Sequence, residues 1–326
     1  MCYRSGCLFI GLVALAFGPP CHAGEAAKPL RAGIIGLDTS HVIAFTKLLN
    51  DPNAEGDLAD VQVVAGYPGG SPDIPSSADR VENFTEQLRG MGIEICDSIP
   101  ELLEKVDVVL LESVDGRPHL EQVKPVFAAG KPVFIDKPLA GSLADALEIA
   151  RLAKQHNVPF FSSSSTRFGS GFQAIRNGTA PFGQIKSCVA TSPMSIEPHH
   201  PDLFWYGIHG VEILFTIMGP GCKTVARVED NKVVGVWADG REGTFVGEKG
   251  YGATVEGTKQ SGEAGKYEGY EGLVAEIARF FKTGKPPVSV EETIEIYAFM
   301  EAADESKRQG GKPVTIESVM RKAAEP

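Results

Sequence analysis

A chain of 326 residues, 43% hydrophobic and 22% charged, is long enough for two packed domains and has the balance of a globular protein. Its formal net charge of −11, with no run of Lys and Arg, excludes the basic stripe of a nucleic-acid-binding protein. Such an acidic surface suits a soluble protein handling a small ligand.

The first 23 residues differ from the rest. Arg4 is the one charge before Glu25, and Cys7 to Gly18 is an apolar run of signal-peptide length, too short for a comfortable membrane span. Pro19 and Pro20 break it, and Cys21-His22-Ala23 ends in small residues suited to cleavage after Ala23. A lipoprotein reading through Cys21 is weaker, because prolines precede that cysteine. The expectation is an exported chain, periplasmic or secreted, with no membrane segment after cleavage. Beyond residue 23 the cysteines are Cys96, Cys188 and Cys222, a scattered odd set without disulfide or zinc spacing, and no metal site is expected.

Arg31 to Ile35 reads as a strand, followed by Gly36, the polar cluster Asp38-Thr39-Ser40 and an amphipathic helix from His41. Val61 to Ala65 is a second strand, ending in the loop Tyr67-Pro68-Gly69-Gly70-Ser71. Ile93 to Cys96, Val106 to Leu111, Pro132 to Ile135 and Pro159 to Ser162 are further strands. Helices are expected at about Ile99 to Glu104, His119 to Ala129 and Leu143 to His156. Alternation of this kind predicts a parallel, doubly wound α/β sheet over residues 30–165, with its ligand at the carboxyl ends of the strands. From 166 to 326 the texture changes. Gln184 to Thr191, Val233 to Trp237 and Gly243 to Val246 are strand-like. Leu203 to Met218, Tyr270 to Thr283 and Val290 to Gln309 read as helices. A second α+β domain with an open, largely antiparallel sheet is expected there.

Two segments carry a resemblance. Ala129-Gly130-Lys131-Pro132-Val133-Phe134-Ile135-Asp136-Lys137-Pro138-Leu139 is similar to the "aGKhV…EKPla" stretch of the glucose–fructose oxidoreductase, inositol dehydrogenase and rhizopine dehydrogenase family (Gfo/Idh/MocA). Gly207-Ile208-His209-Gly210-Val211-Glu212 resembles its "G-x-H-x-x-D" helix, and Phe280 to Pro287 its closing segment. The resemblance implies a Rossmann domain, a second domain whose sheet face often mediates homo-oligomers, and NAD or NADP as cofactor for a carbohydrate-like small molecule. It places Lys137 against substrate and nicotinamide and identifies His209 as the catalytic histidine. The family's Asp four residues before that histidine is here Trp205, an aromatic suited to stacking on a sugar ring. Asp202, seven residues before, is the candidate to orient His209 instead.

The cofactor loop departs from the family pattern. In Gly36-Leu37-Asp38-Thr39-Ser40-His41 the first glycine of G-x-G-x-x-G survives, Asp38 replaces the second and His41 the third. Two unit charges about 4 Å apart repel by roughly 4 kcal/mol at an effective dielectric of about 20, so Asp38 opposes a pyrophosphate. It is expected either to cap the helix or, with His41, to bind another ligand. The second strand lacks the acid that would hold a ribose. Tyr67 is the candidate to lie against adenine, and Ser71 to meet a 2′-phosphate. Leu37, Ser113, His119 and Asp136 complete the expected cofactor residues, and Arg167, His199, His200 and Trp205 the expected substrate residues. A solvated loop is the bland alternative for the two histidines. Two functions follow: an NAD(P)-dependent oxidoreductase acting on a sugar or polyol, or a repurposed member that binds, cleaves or eliminates carbohydrate without net redox change.

Overall fold

The computed structural model describes residues 1–2 and 28–325, so the expected export leader lies outside the described residues. The first half builds β1 (Leu30–Ile35), α1 (Ser40–Leu49), β2 (Val61–Tyr67), α2 (Pro75–Gly90), β3 (Glu94–Ile95) and α3 (Ile99–Lys105). It continues with β4 (Val108–Leu111), α4 (His119–Ala128), β5 (Val133–Ile135), α5 (Leu143–His156) and β6 (Phe160–Phe161). The six strands form one parallel sheet in the order β3-β2-β1-β4-β5-β6. β4 and β5 are buried throughout, as strands covered by helices on both faces must be. The order reverses between β1 and β4, and the crevice at their carboxyl ends is where a doubly wound sheet takes its ligand.

Helix α2 was not legible in the sequence. Its large apolar residues are Val81, Phe84 and Leu88, a single narrow stripe in an otherwise polar segment. Its placement matters, because its first turn stands beside the β1–α1 loop.

The second half builds α6 (Ser170–Arg176), β7 (Ile185–Ser192), α7 (Ile208–Met218), β8 (Cys222–Glu229), β9 (Lys232–Trp237) and β10 (Glu242–Gly247). Next come β11 (Gly252–Gly257), β12 (Ser261–Lys266), α8 (Glu271–Thr283), α9 (Val290–Arg308), β13 (Val314–Thr315) and α10 (Ile316–Ala323). Its sheet runs β12-β11-β7-β10-β9-β8-β13, with β7 and β10 parallel and the other pairs antiparallel. Helix α7 packs on β7 and β10, α9 on β8, and Val189 and Val228 remain exposed on the strands. Every residue of α7 is buried, which matches its apolar composition all round. Helix α8 returns to the first sheet: Leu273, Val274, Ile277 and Phe280 join Ile34, Phe45, Leu110 and Phe134 in one core.

The segment before α7 is not plain α-helix. Leu203–Gly207 is a π-turn running into α7. The wider turn rotates the residues ahead of it, so a spacing of seven no longer returns a side chain to the same face.

Candidate functional site

A cavity of about 240 Å³ lies where the carboxyl ends of the first sheet meet α7 and the second sheet. Lys137 enters from the end of β5, His41 from α1, Trp205 and Tyr206 from the π-turn and His209 from α7. Thr39 and Ser40 open α1, Ser76 and Arg80 come from α2, and Ser165 and Thr166 follow β6. Tyr251, Tyr267 and Tyr270 complete the wall, so four of the chain's seven tyrosines line one cavity.

Two dyads fix the polar groups. His41 Nδ1 lies 2.6 Å from Asp136 Oδ2, and Asp136 Oδ1 accepts from the Lys137 amide at 2.8 Å. Burial pushes the Asp136 carboxyl up, but the charge and hydrogen bond of His41 override it and hold the group below its ordinary value. His41 also stacks flat on Phe45, ring centroids 5.2 Å apart, and meets the edge of Tyr270. The Lys137–Pro138 peptide is cis. The Lys137 ammonium has no ion-pair partner among the described residues.

His209 is held by Ser164, whose hydroxyl is 2.7 Å from Nδ1. The protons in this chain can be assigned. Thr166 Oγ1 donates to the His209 carbonyl at 3.0 Å, which cannot donate back. Thr166 is therefore the acceptor in its 2.9 Å contact with Ser164, and the Ser164 proton is committed. His209 Nδ1 must then donate to Ser164, which leaves Nε2 with a lone pair. Burial, with Lys137 and His41 nearby, holds this imidazole well below its ordinary pKa, so it stays neutral and able to accept a proton.

Several expected site residues lie elsewhere. Asp202 does not orient His209; the π-turn swings it outward, where it pairs with Lys307 at 2.6 Å and Arg227 at 3.4 Å. Arg167 does not line the cavity. It is 3% exposed, donating to Glu212 at 2.6 Å and Glu292 at 3.0 Å. His199 is exposed beside Glu197, and His200 is buried between Trp205 and Asp115. His119 is buried, its ring nitrogens at the carbonyls of Ser113 and Leu139. Ser113 donates to Gln122, and Tyr67 packs, partly buried, against the core that holds Ile35, Ala65 and Leu111. Leu37 is fully buried, and its amide donates to Pro68 O at 2.7 Å. Among the described residues no group of three or more His, Cys, Asp or Glu is arranged to hold a metal ion.

Asp38 is not the helix cap. Thr39 takes that place, its hydroxyl accepting from His41 N. Asp38 is fully buried, its two oxygens accepting from Val114 N at 2.9 Å and Ser77 Oγ at 2.6 Å. Burial raises its carboxyl above the ordinary range despite those two donors. Ser77 Oγ in turn accepts from Ser71 N, and Ser71 Oγ donates to Asp115. This chain of bonds draws the loop after β2 and the first turn of α2 over the β1–α1 turn.

Glu112, at the end of β4, is fully buried, and neither carboxylate oxygen has a partner. Burial, with Asp136 and Asp38 nearby, raises its carboxyl well above the ordinary value. A raised folded-state pKa favours the protonated native state. The stability that this contributes is complete below the ordinary carboxyl range and is lost as pH rises through the folded value. Glu112→Gln is expected to remove that dependence and to melt higher than the unaltered chain at alkaline pH, read by thermal melts across pH. Identical pH profiles for the two would contradict an orphaned, protonated Glu112.

Part of the chain matches a known family. Residues 74–164 match the model of the oxidoreductase family with an NAD-binding Rossmann fold, GFO_IDH_MocA. An inositol 2-dehydrogenase of Gluconacetobacter diazotrophicus is 38% identical over 96 residues, covering 26% of this chain and 27% of that protein. An uncharacterized oxidoreductase of Streptococcus pneumoniae is 26% identical over 171 residues, covering 47% of this chain and 45% of that protein. The matches thus span less than half the length of these curated relatives. A crystal structure of scyllo-inositol dehydrogenase from Lactobacillus casei, with bound NAD(H) and scyllo-inositol, has a TM-score of 0.70. That likeness covers 89% of this chain and all of that one at 14% identity, and is one of fold. These matches support membership of the Gfo/Idh/MocA family, on the sequence of residues 74–164 and on the fold of the rest.

The β1–α1 turn does not fit a dinucleotide in the family's usual place. Gly36 keeps its left-handed conformation, φ 87°, but a Cβ there would fall 2.4 Å from the Ser113 amide, so the turn is already closed against the β4–α4 loop. The loop after β2 lies against it from the other side, the Gly36 and Leu37 amides donating to the Tyr67 and Pro68 carbonyls at 2.9 and 2.7 Å. Asp38 stands where the pattern has its second glycine, and its carboxyl ties the turn to Val114 N and Ser77 Oγ. The cavity of about 240 Å³ is also below the roughly 300–1,000 Å³ usual for pockets of drug-sized ligands.

Proposed function

We propose that this chain is a polyol- or sugar-acting member of the NAD(P)-dependent oxidoreductase family, with Lys137 and His209 as the pair that handles one substrate hydroxyl. The observation that carries the reading is the meeting of a cation without an ion-pair partner among the described residues and a neutral histidine in one tyrosine-walled cavity. Lys137 Nζ donates to the substrate oxygen and stabilises negative charge developing on it. His209 Nε2 accepts the hydroxyl proton, and Ser164 holds the ring in the tautomer that permits this. Trp205 and the tyrosines offer flat apolar faces with polar tips, suited to the C–H faces and hydroxyls of a sugar ring. In the family the hydride acceptor is a nicotinamide. The polyol specificity of the relatives supports the substrate class proposed for this chain.

A second reading is favoured by the closed β1–α1 turn: a site that binds or rearranges a carbohydrate without net redox change. Mass spectrometry of small molecules released on denaturing the purified chain separates the two. Stoichiometric NAD or NADP supports the dehydrogenase, and their absence, with no calorimetric binding at millimolar concentration, supports the second. Both readings place the ring against Trp205, so Trp205→Ala is expected to weaken polyol binding about tenfold in calorimetric titration, the size of an aromatic contact plus its buried area. Unchanged affinity would remove Trp205 from the ring-binding wall.

A further inference from the structure

The lining of the cavity carries a charge pattern that a neutral polyol does not need. Arg80 and Lys137 both face into it, while no Asp or Glu among the described residues lines it. This is unexpected in a chain with net charge −11. Among the described arginines, Arg80 and Arg321 alone lack a carboxylate within ion-pair distance, and Arg321 lies exposed on α10. Arg80 is instead partly buried, its Nε donating to the Ser76 carbonyl of its own helix and its remaining donors unassigned. The nearest acids are already committed. Asp38 lies close enough to feel Arg80, but both of its oxygens are bonded and its carboxyl is raised. Asp136 sits behind His41. The Thr39 and Ser40 hydroxyls and the first turn of α1 add donors and a positive dipole end to the same wall.

A guanidinium at a cavity wall without a counter-charge is a fork of donors built for a planar or tetrahedral oxyanion. We propose that the ligand of this site is an acidic polyol, a sugar or cyclitol skeleton bearing one oxyanion, carboxylate or phosphate. Its charged end meets Arg80 and the opening of α1, and its hydroxyl meets Lys137 and His209. This rests on the assignment of Lys137 and His209 to a polyol hydroxyl and adds the substrate's charge. The oxyanion also explains how a small cavity orients a molecule with several similar hydroxyls, since a single charge pairing at one end fixes which hydroxyl reaches His209.

The test is calorimetric titration of the purified full chain with gluconate and glucuronate, with glucose 6-phosphate, and with neutral glucose and myo-inositol, at low salt and at 0.5 M NaCl. The acid bearing the right oxyanion is expected to bind at least tenfold tighter than its neutral counterpart, the advantage shrinking in salt. Carboxylate and phosphate are told apart by which arm shows the gain. In Arg80→Met, whose fold is checked by its melting temperature, the ratio of acid to neutral affinity is expected to fall to about one; in Arg80→Lys it is expected to survive in part. Equal affinity for acid and neutral ligands, or a ratio that Arg80→Met leaves unchanged, overturns the inference while leaving the polyol reading standing. Binding of neither class overturns both.

Discussion

Lys137→Met is expected to weaken polyol binding roughly hundredfold while leaving the melting temperature close to that of the unaltered chain. The ammonium has no ion-pair partner among the described residues, so its removal strands no buried acid. Asp136 keeps both His41 and the residue 137 amide. Methionine fills the same stem volume, which separates the loss of charge from the loss of packing. A hydrogen bond to a charged group contributes about 1.5–3 kcal/mol, or roughly ten- to 150-fold in affinity. A second signature is specific to charge. Burial depresses His209 most, and Lys137 is the largest nearby charge acting in the same direction. Without that cation His209 is expected to titrate at higher pH, read from its ring proton by NMR. A polyol affinity within threefold of the unaltered chain, with His209 titrating as before, would place Lys137 outside the site.

Arg167→Met is expected to destabilise the chain by about 3–5 kcal/mol, the usual cost of removing one partner from a buried ion pair. The guanidinium joins the helix that carries His209 to α9. It donates to Glu212 of α7 and Glu292 of α9, all three nearly fully buried. Arg176 still holds Glu292 in the variant, so Glu212 is the acid left without a counter-charge. For a chain of this size, that cost lowers Tm by roughly ten degrees. A double substitution with Glu212→Gln is expected to recover much of the loss, because it removes the stranded charge. A single variant that melts within two degrees of the unaltered chain would show that the pair holds nothing together.

The features legible in the sequence were local ones. The alternation of short apolar strands with amphipathic helices gave away the parallel sheet, because period and turn residues are written over a few neighbours. Lys137 was readable as the residue ending a buried strand, and His209 as one turn of an apolar helix. The partners that make them a site were not readable. Ser164 is 45 residues from His209 in sequence. Asp38 stood out as a misfit in a glycine pattern, yet its bonds to Ser77 and Val114, 39 and 76 residues away, decide what it does. Arg80 went unnoticed because its helix shows only a narrow apolar stripe. Tyr251, Tyr267 and Tyr270 lie among glycines and acids that follow no period. Asp202 misled for a physical reason: counting residues assumes 3.6 per turn, and the π-turn breaks that count. Arg167, a charged residue just after a strand, looked like a ligand contact; its role is set by two glutamates on separate helices.

On the proposed function, one cavity assembled from both halves of the chain takes a polyhydroxylated ligand against Lys137 and His209. Calorimetric titration of the unaltered full chain with myo-inositol and gluconate, with no nucleotide added, tests it most directly. Saturable one-site binding by at least one of them below millimolar concentration, lost in Lys137→Met, is the expected result. Heat that appears only once NAD or NADP is present would mean that the cavity is incomplete without a dinucleotide and that the closed β1–α1 turn opens to receive one. No binding under either condition would contradict the account.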